Sequence, residues 1–457
     1  MIAASRTRPH RFAWGMHAPV SALLLWACLW LNLNTGFWDI QEPHSLEEWQ
    51  LLGRAILPFA VLPVAGLMIL NRRKLDLPDW GPSRLLMIYG VLAAIASVVS
   101  PQPGWSLYWS MTFVATIVAA WTFTTSRTPV PSARQMLQFT WAVMFVVAAI
   151  IAYMARGAVF GSSPSAYGIY TDLNELSRSS GVARWAAVPG LVCVLKAFDT
   201  RRPALTAFFV AAAIAAFFIV YRMQSRGAVF GSAAALLFAL FTSSRLRRYV
   251  LPCTVFAALV LTLVKPFAVL SGGVSEYLHR GQSEEEFRHM TGRISVYEVG
   301  IAAIEDAPLL GRGQWADRLL GVGHVHNSYL QALLNAGILG GLPYVASWIA
   351  GWVLFFRLQK RRRLLPPKDQ SALLEVGTVM MFFTFRSVPE TTTASFSVDL
   401  LVMVAVYVYL ETLAVSIDPK SLERWARTPP PQARRSKDRY CPQMAGPPGL
   451  ITDGSRE

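Results

Sequence analysis

Long apolar runs alternate with short polar connections along most of the chain, and several reach the ~20 residues needed to cross a hydrocarbon core. This pattern predicts an all-α, polytopic membrane protein of about 12 transmembrane helices. They fall near 18–33, 53–70, 83–99, 105–123, 136–155, 181–198, 204–222, 226–241, 250–270, 328–356, 372–386 and 396–415. Four regions follow: N-terminal helices 1–9 (1–270), a large polar loop (271–327), helices 10–12 (328–417) and a Pro-rich, polar tail (418–457) expected to be disordered. The first helix has a basic leader (Arg6, Arg8, Arg11) but no small-residue cleavage site after it, so it reads as an anchor.

The basic residues orient these helices. Arg72-Arg73-Lys74, Arg127 with Arg134, Arg201-Arg202, Arg245 with Arg247-Arg248, and Lys360 through Arg363 occupy every second connection, together with both ends of the chain. That alternation is the positive-inside pattern and predicts cytoplasmic termini. The remaining connections, including 156–180, 222–226, 271–327 and 387–395, then face outward. Inside the long loop, Ser283 and Glu286 have capping-box spacing, and 293–305 has helical period with Ile294, Tyr297, Ile301 and Ile304 on one stripe. An amphipathic helix there is expected to lie on the membrane surface or to lid the bundle. Pro308 stops it, and Gly311-Arg312-Gly313 makes a turn.

Composition narrows the class further. Of 457 residues 54% are hydrophobic and only 15% charged, too few charges to cover a soluble domain. The net charge of +15 would suit a nucleic-acid partner, but the cations sit between apolar runs rather than on one face, so none is expected. The four cysteines (Cys28, Cys193, Cys253, Cys441) have no metal or redox spacing. Gly337 and Gly341 have the spacing of close helix packing. The heptapeptide Arg-Gly-Ala-Val-Phe-Gly-Ser occurs at 156–162 and again at 226–232, both at predicted outer boundaries.

Three outward residues invite chemistry: Arg226 at a helix start, Arg293, and His326 beside Asn327 at the opening of the next helix. Two guanidinium groups aimed at one point would hold a diphosphate without a metal, and a helix N-terminus would add N–H donors. A neutral His beside them accepts a proton from an attacking hydroxyl. Each has a plainer explanation as well: an Arg at a helix end snorkels to headgroups, a His or Asn at a helix start caps it, and Asn174 and Glu175 suit a solvated loop.

The order Gly292-Arg293, Tyr297, Asp306 through Gly313 (Asp-Ala-Pro-Leu-Leu-Gly-Arg-Gly), His326-Asn327-Ser328-Tyr329-Leu330 and Asn335 through Gly340 resembles the shared domain of the O-antigen ligase and polymerase family over about 50 residues, with Tyr297 where a Trp is commoner. The resemblance implies a GT-C-type membrane glycosyltransferase, metal-independent and without cofactor, that moves a glycan from undecaprenyl diphosphate to an acceptor hydroxyl with inversion. It implies residence in the bacterial inner membrane among membrane lipids, with a periplasmic active site. Arg226 and Arg293 would hold the donor diphosphate, and His326 would be the base or orient the acceptor. Asn327, Tyr329, Asn174, Arg312, Arg386 and Glu390 are further expected substrate contacts. The acceptor implied first is lipid A–core, as in a ligase; a growing glycan (O-antigen or exopolysaccharide polymerase) and a protein Ser or Thr are the alternatives. A lipid-linked-glycan transporter would instead need ionisable groups near the bilayer midplane, and Arg184 and Lys196, each near a predicted helix end, are explained by snorkelling.

Overall fold

The computed structural model describes residues 18–33, 46–71, 77–154, 156–157, 179–243, 246–248 and 293–417, with positions 79 and 322 excepted. Its regular structure is entirely helical among these residues. The helices are α1 Val20–Leu31, α2 Leu46–Leu70, α3 Pro82–Ala96, α4 Pro103–Trp121, α5 Pro129–Met154, α6 Ser179–Asp199, α7 Pro203–Arg222, α8 Arg226–Thr242, α9 Arg293–Glu305, α10 Ala316–Leu319, α11 Ser328–Lys360, α12 Pro367–Arg386 and α13 Val398–Ser416. Eleven of these coincide with helices expected from hydropathy. The expected helix at 250–270 lies outside the described residues, as do the 283–286 capping box, most of the first heptapeptide copy, Cys253, and the tail with Cys441. Residues 416–457 form a separate unit. Among the described residues, seven helices are long and apolar enough to cross a membrane by themselves. Helix α12 is not one of them, because it carries charges that its neighbours neutralise.

Helix α13 is the axis of the bundle. Every residue from Val398 to Leu413 is buried, as expected of a helix apolar on all sides. Its few polar groups meet partners on the helices around it. Tyr409 Oη donates to Asp369 of α12 at 3.0 Å. Glu411 accepts from Ser83 N and Oγ at the start of α3, at 2.8 and 2.6 Å. Gly351 of α11 brings its backbone against the Tyr407 ring, at a place no larger residue fits.

The helix ends gather at two poles. At one, α5 and α12 are joined by Arg134 Nη1 to Asp369 Oδ1, 2.6 Å, and α6 and α12 by Lys196 Nζ to Glu375 Oε1, 2.7 Å. At the other, α11 begins against the connection between α12 and α13, where Ser328 N donates to the Ser387 carbonyl at 3.0 Å. Arg184 and Lys196 therefore correct the snorkelling expectation: Arg184 Nη1 lies 3.2 Å from Asp399 Oδ1, and Lys196 is paired with Glu375. Hydropathy placed both cations near helix ends but carries no information about partners on distant helices.

Two expectations about the loop and α11 also change. Gly337 is not a packing glycine inside a regular helix. It breaks α11, with φ 59° and ψ −163°. The strap Pro308–Gly313 fills the break: Ile338 N and Leu339 N donate to the carbonyls of Pro308 and Leu309 (2.8 and 3.1 Å), while Arg312 N and Gly313 N donate to those of Leu334 and Asn335 (both 2.8 Å). A Cβ on Gly337 would run into the Leu309 carbonyl. The apolar stripe of α9 is rotated from the expected one. Val296, Tyr297, Ala303 and Ile304 pack with Leu330 and Leu334 of α11, whereas Ile294 and Ile301 remain exposed at 41% and 49%. Apolar residues surround α9, so periodicity alone does not select its buried face; the small Gly300 allows close approach to Leu330.

Candidate active site

The start of α11 is locally determined. Asn327 caps it, its Oδ1 accepting from Tyr329 N and Leu330 N, both at 2.9 Å. Its Nδ2 donates to the Val388 carbonyl at 3.1 Å. Ser328 Oγ donates to the Glu390 carbonyl at 3.0 Å and accepts from Thr392 N at 2.8 Å. These bonds fasten the chain just before α11 to the 387–392 connection.

His326 sits at this junction. Its Nδ1 is 3.1 Å from Glu390 Oε2, its backbone N donates to His324 Nδ1 at 3.0 Å, and the two imidazoles stack with centroids 4.1 Å apart. With Glu390 ionised, Nδ1 carries the hydrogen and Nε2 keeps its lone pair, the tautomer a proton acceptor needs. His326 has φ 49°, Gln224 48° and Trp315 66°. Left-handed backbone is unfavourable for such residues, on the order of 1 kcal/mol each or more, and it concentrates at functional sites. All three lie at the same pole.

Other expected residues approach this point to different degrees. Arg226 opens α8 and is half-buried; a Cβ on its neighbour Gly227 would lie 3.6 Å from Pro389 and 3.8 Å from Glu390. Arg293 opens α9 one turn before Tyr297, whose Oη donates to the His326 carbonyl at 3.4 Å. The Arg293 side chain and Asn174 lie outside the described residues. Tyr329 is half-buried, its ring 6.1 Å from that of Tyr344. Arg312 belongs to the strap. Arg386 is 2% exposed, its Nη1 donating to the Ser180 carbonyl at 3.3 Å and its Nε 4.0 Å from Asp399. Arg386 is thus buried beneath the connection that carries Glu390.

Sequence reasoning missed the polar network under the strap. Asn335 Nδ2 has Tyr89 Oη (3.0 Å), Gln314 Oε1 (3.0 Å) and the Ala394 carbonyl (3.1 Å) as acceptors within reach of its two hydrogens, and Gln331 Nε2 donates to Asn335 Oδ1 (2.9 Å) and Asp317 Oδ1 (3.1 Å). Burial raises the Asp317 pKa, the Arg318 charge and the Gln331 bond opposing that shift. Polar residues at 314, 331 and 335, within or beside apolar segments, were the available signal.

Two comparisons bear on these residues. Curated proteins give no match. The family model described as O-antigen ligase matches residues 210–345, a stretch running from within α7 through the 387–392-facing start of α11 and past its break, and so including Arg226, Arg293, Arg312, His326, Asn327 and Tyr329. By this match the chain, an all-α multi-pass membrane protein, is similar over residues 210–345 to the O-antigen ligase family.

Proposed function

We propose that the chain transfers a glycan from undecaprenyl diphosphate to an acceptor hydroxyl at the pole formed by the start of α11, with lipid A–core as acceptor. The observation carrying this reading is the His326 Nδ1–Glu390 Oε2 contact, with the start of α8 packed against the same connection. The acceptor oxygen attacks the anomeric carbon, its proton passes to His326 Nε2, and the bond from that carbon to the diphosphate oxygen breaks with its electron pair leaving on the diphosphate. Direct displacement inverts the anomeric configuration. Arg226 and Arg293 offset the charge developing on the leaving group, and Asn327, Tyr329 and Arg312 contact the substrates. The diphosphate is already a good leaving group, so positioning and charge stabilisation supply most of the acceleration and no metal is required. The pole faces the periplasm of the inner membrane, in keeping with the basic connections at the opposite pole and with both termini cytoplasmic.

The test is transfer by the purified full chain in detergent with EDTA, using undecaprenyl-diphosphate glycan and either lipid A–core or further donor as acceptor. Glycosylated lipid A–core is expected from wild type. Loss of the base in His326→Ala should lower the rate about 10²- to 10⁴-fold. Glu390→Gln, which keeps the shape but not the charge, should cost about 10- to 100-fold. Lengthened carrier-linked glycan instead would make the protein a polymerase. No product with either acceptor, from folded chain that binds donor, would defeat the proposal.

A further inference from the structure

Beneath the Glu390-bearing connection lies a buried charge cluster that the proposed chemistry does not use, and of which the resemblance touches Arg386 alone. Asp399, at the start of α13, is wholly buried. One carboxylate oxygen is 3.2 Å from Arg184 of α6, the other 4.0 Å from Arg386 at the end of α12. Neither oxygen has a hydrogen bond of good geometry, and the Nε groups of both arginines are also unmatched. Two guanidinium groups thus share one carboxylate, leaving one positive charge in excess before Glu390 is counted.

That excess has a direction. Arg386 accepts from Glu390 N through its carbonyl at 3.0 Å, so Glu390 is held one turn beyond it, and the Glu390 charge acts on the Arg386 guanidinium. The groups meeting here are Arg184 from α6, Arg226 from α8, Arg386 from α12, Glu390 from the connection, Asp399 from α13, and His324 and His326 before α11. We infer that Arg184, Asp399 and Arg386 form a positioning network that sets the charge and orientation of the Glu390–His326 pair. The cationic excess keeps Glu390 ionised, so that it accepts from His326 Nδ1. With Nδ1 donating to Glu390, Nε2 is the nitrogen left available. Asp399 limits the excess to one charge and stops Arg386 from drawing Glu390 away from His326.

This inference rests on the reading of His326 as a base, but it has its own observable. Asp399→Asn raises the net charge beneath the pair by one and Arg184→Gln lowers it by one, so the two substitutions should move His326 in opposite directions. In Asp399→Asn the midpoint for protonating His326 should fall, and in Arg184→Gln it should rise, each by roughly half a pH unit or more. The full chain with isotope-labelled histidine, titrated by NMR in detergent, gives the midpoint without substrate. The acid limb of the kcat–pH profile should follow in the same two directions, with kcat in Asp399→Asn falling about tenfold and the donor KM little changed. Lys196→Gln, which breaks an ion pair at the opposite pole, is the control and should lower Tm without moving either quantity. If Asp399→Asn does not fold, Arg184→Gln, at the partly exposed rim of the cluster, still carries the sign. Unchanged midpoints in variants that transfer glycan would overturn the network and leave the proposed function intact. Opposite midpoint shifts in a chain that transfers nothing would keep the network and remove the function.

Discussion

The two poles of the bundle use charged residues differently. At the pole of Arg134, Lys196 and Glu411, each of these side chains closes on a partner at 2.6–2.8 Å, and each contact ties together helices far apart in sequence. At the pole of His326, ion-pair distances stretch to 3.1–4.0 Å, two arginines compete for Asp399, and three non-glycine residues hold left-handed backbone. Charges that serve only to fasten helices can settle into their best geometry. Charges that serve the proposed reaction would instead be held short of it, open to completion by a bound substrate. The contrast falls at the pole where the proposed function places the reaction.

The contrast can be broken at several points. The largest effect should come from Gly337→Val. It places a side chain in a backbone conformation reserved for glycine and against the Leu309 carbonyl, and it should cost more than about 4 kcal/mol, seen as loss of monodisperse folded protein. Retention of the wild-type Tm would show that the strap does not need the break. Next, Asp369→Ala strands Arg134 and the Tyr409 hydroxyl and should cost about 3 kcal/mol in thermal or denaturant unfolding, while glycan transfer per folded molecule stays the same. A change in transfer there would erase the division of labour between poles. The smallest effect belongs to Asp317→Asn. Because burial raises the Asp317 pKa, its stabilising contribution is complete below the ordinary aspartate value and is lost as pH rises toward the folded one. The Asn variant should therefore match wild type near pH 4 and become the more stable of the two as pH rises, as Tm measured across that range will show.

Helix positions were legible because hydropathy is a local property: α3 through α8 and α11 through α13 begin and end within several residues of the stretches read from sequence. The outward set was legible for a related reason. Alternating basic connections predict one side for Arg226, Arg293 and His326, and the starts of α8 and α11 both pack against the 387–392 connection. What local pattern does not encode is pairing across the bundle. Arg184 and Lys196 look alike as cations near the ends of one helix, yet one joins the cluster beneath the site and the other a fastening pair. The contact of Glu390 with His326 was not foreseen either; only the fold brings residues 64 apart together. The strap was foreseen as a turn, but its insertion into α11 depends on carbonyls at 308–309 and amides at 338–339 finding each other.

That insertion bears on how the chain assembles. In a hydrocarbon environment an amide without an acceptor costs several kcal/mol, and at the break the N–H groups of Ile338 and Leu339 find theirs on Pro308 and Leu309 rather than within their own helix. Helix α11 is therefore not a finished unit when it leaves the ribosome. The strap precedes it in the chain, and only with the strap docked is the backbone of α11 satisfied at the break. The strap and the broken helix are therefore one hydrogen-bonded unit, and a change that displaces residues 308–313 leaves polar backbone of α11 without its acceptors.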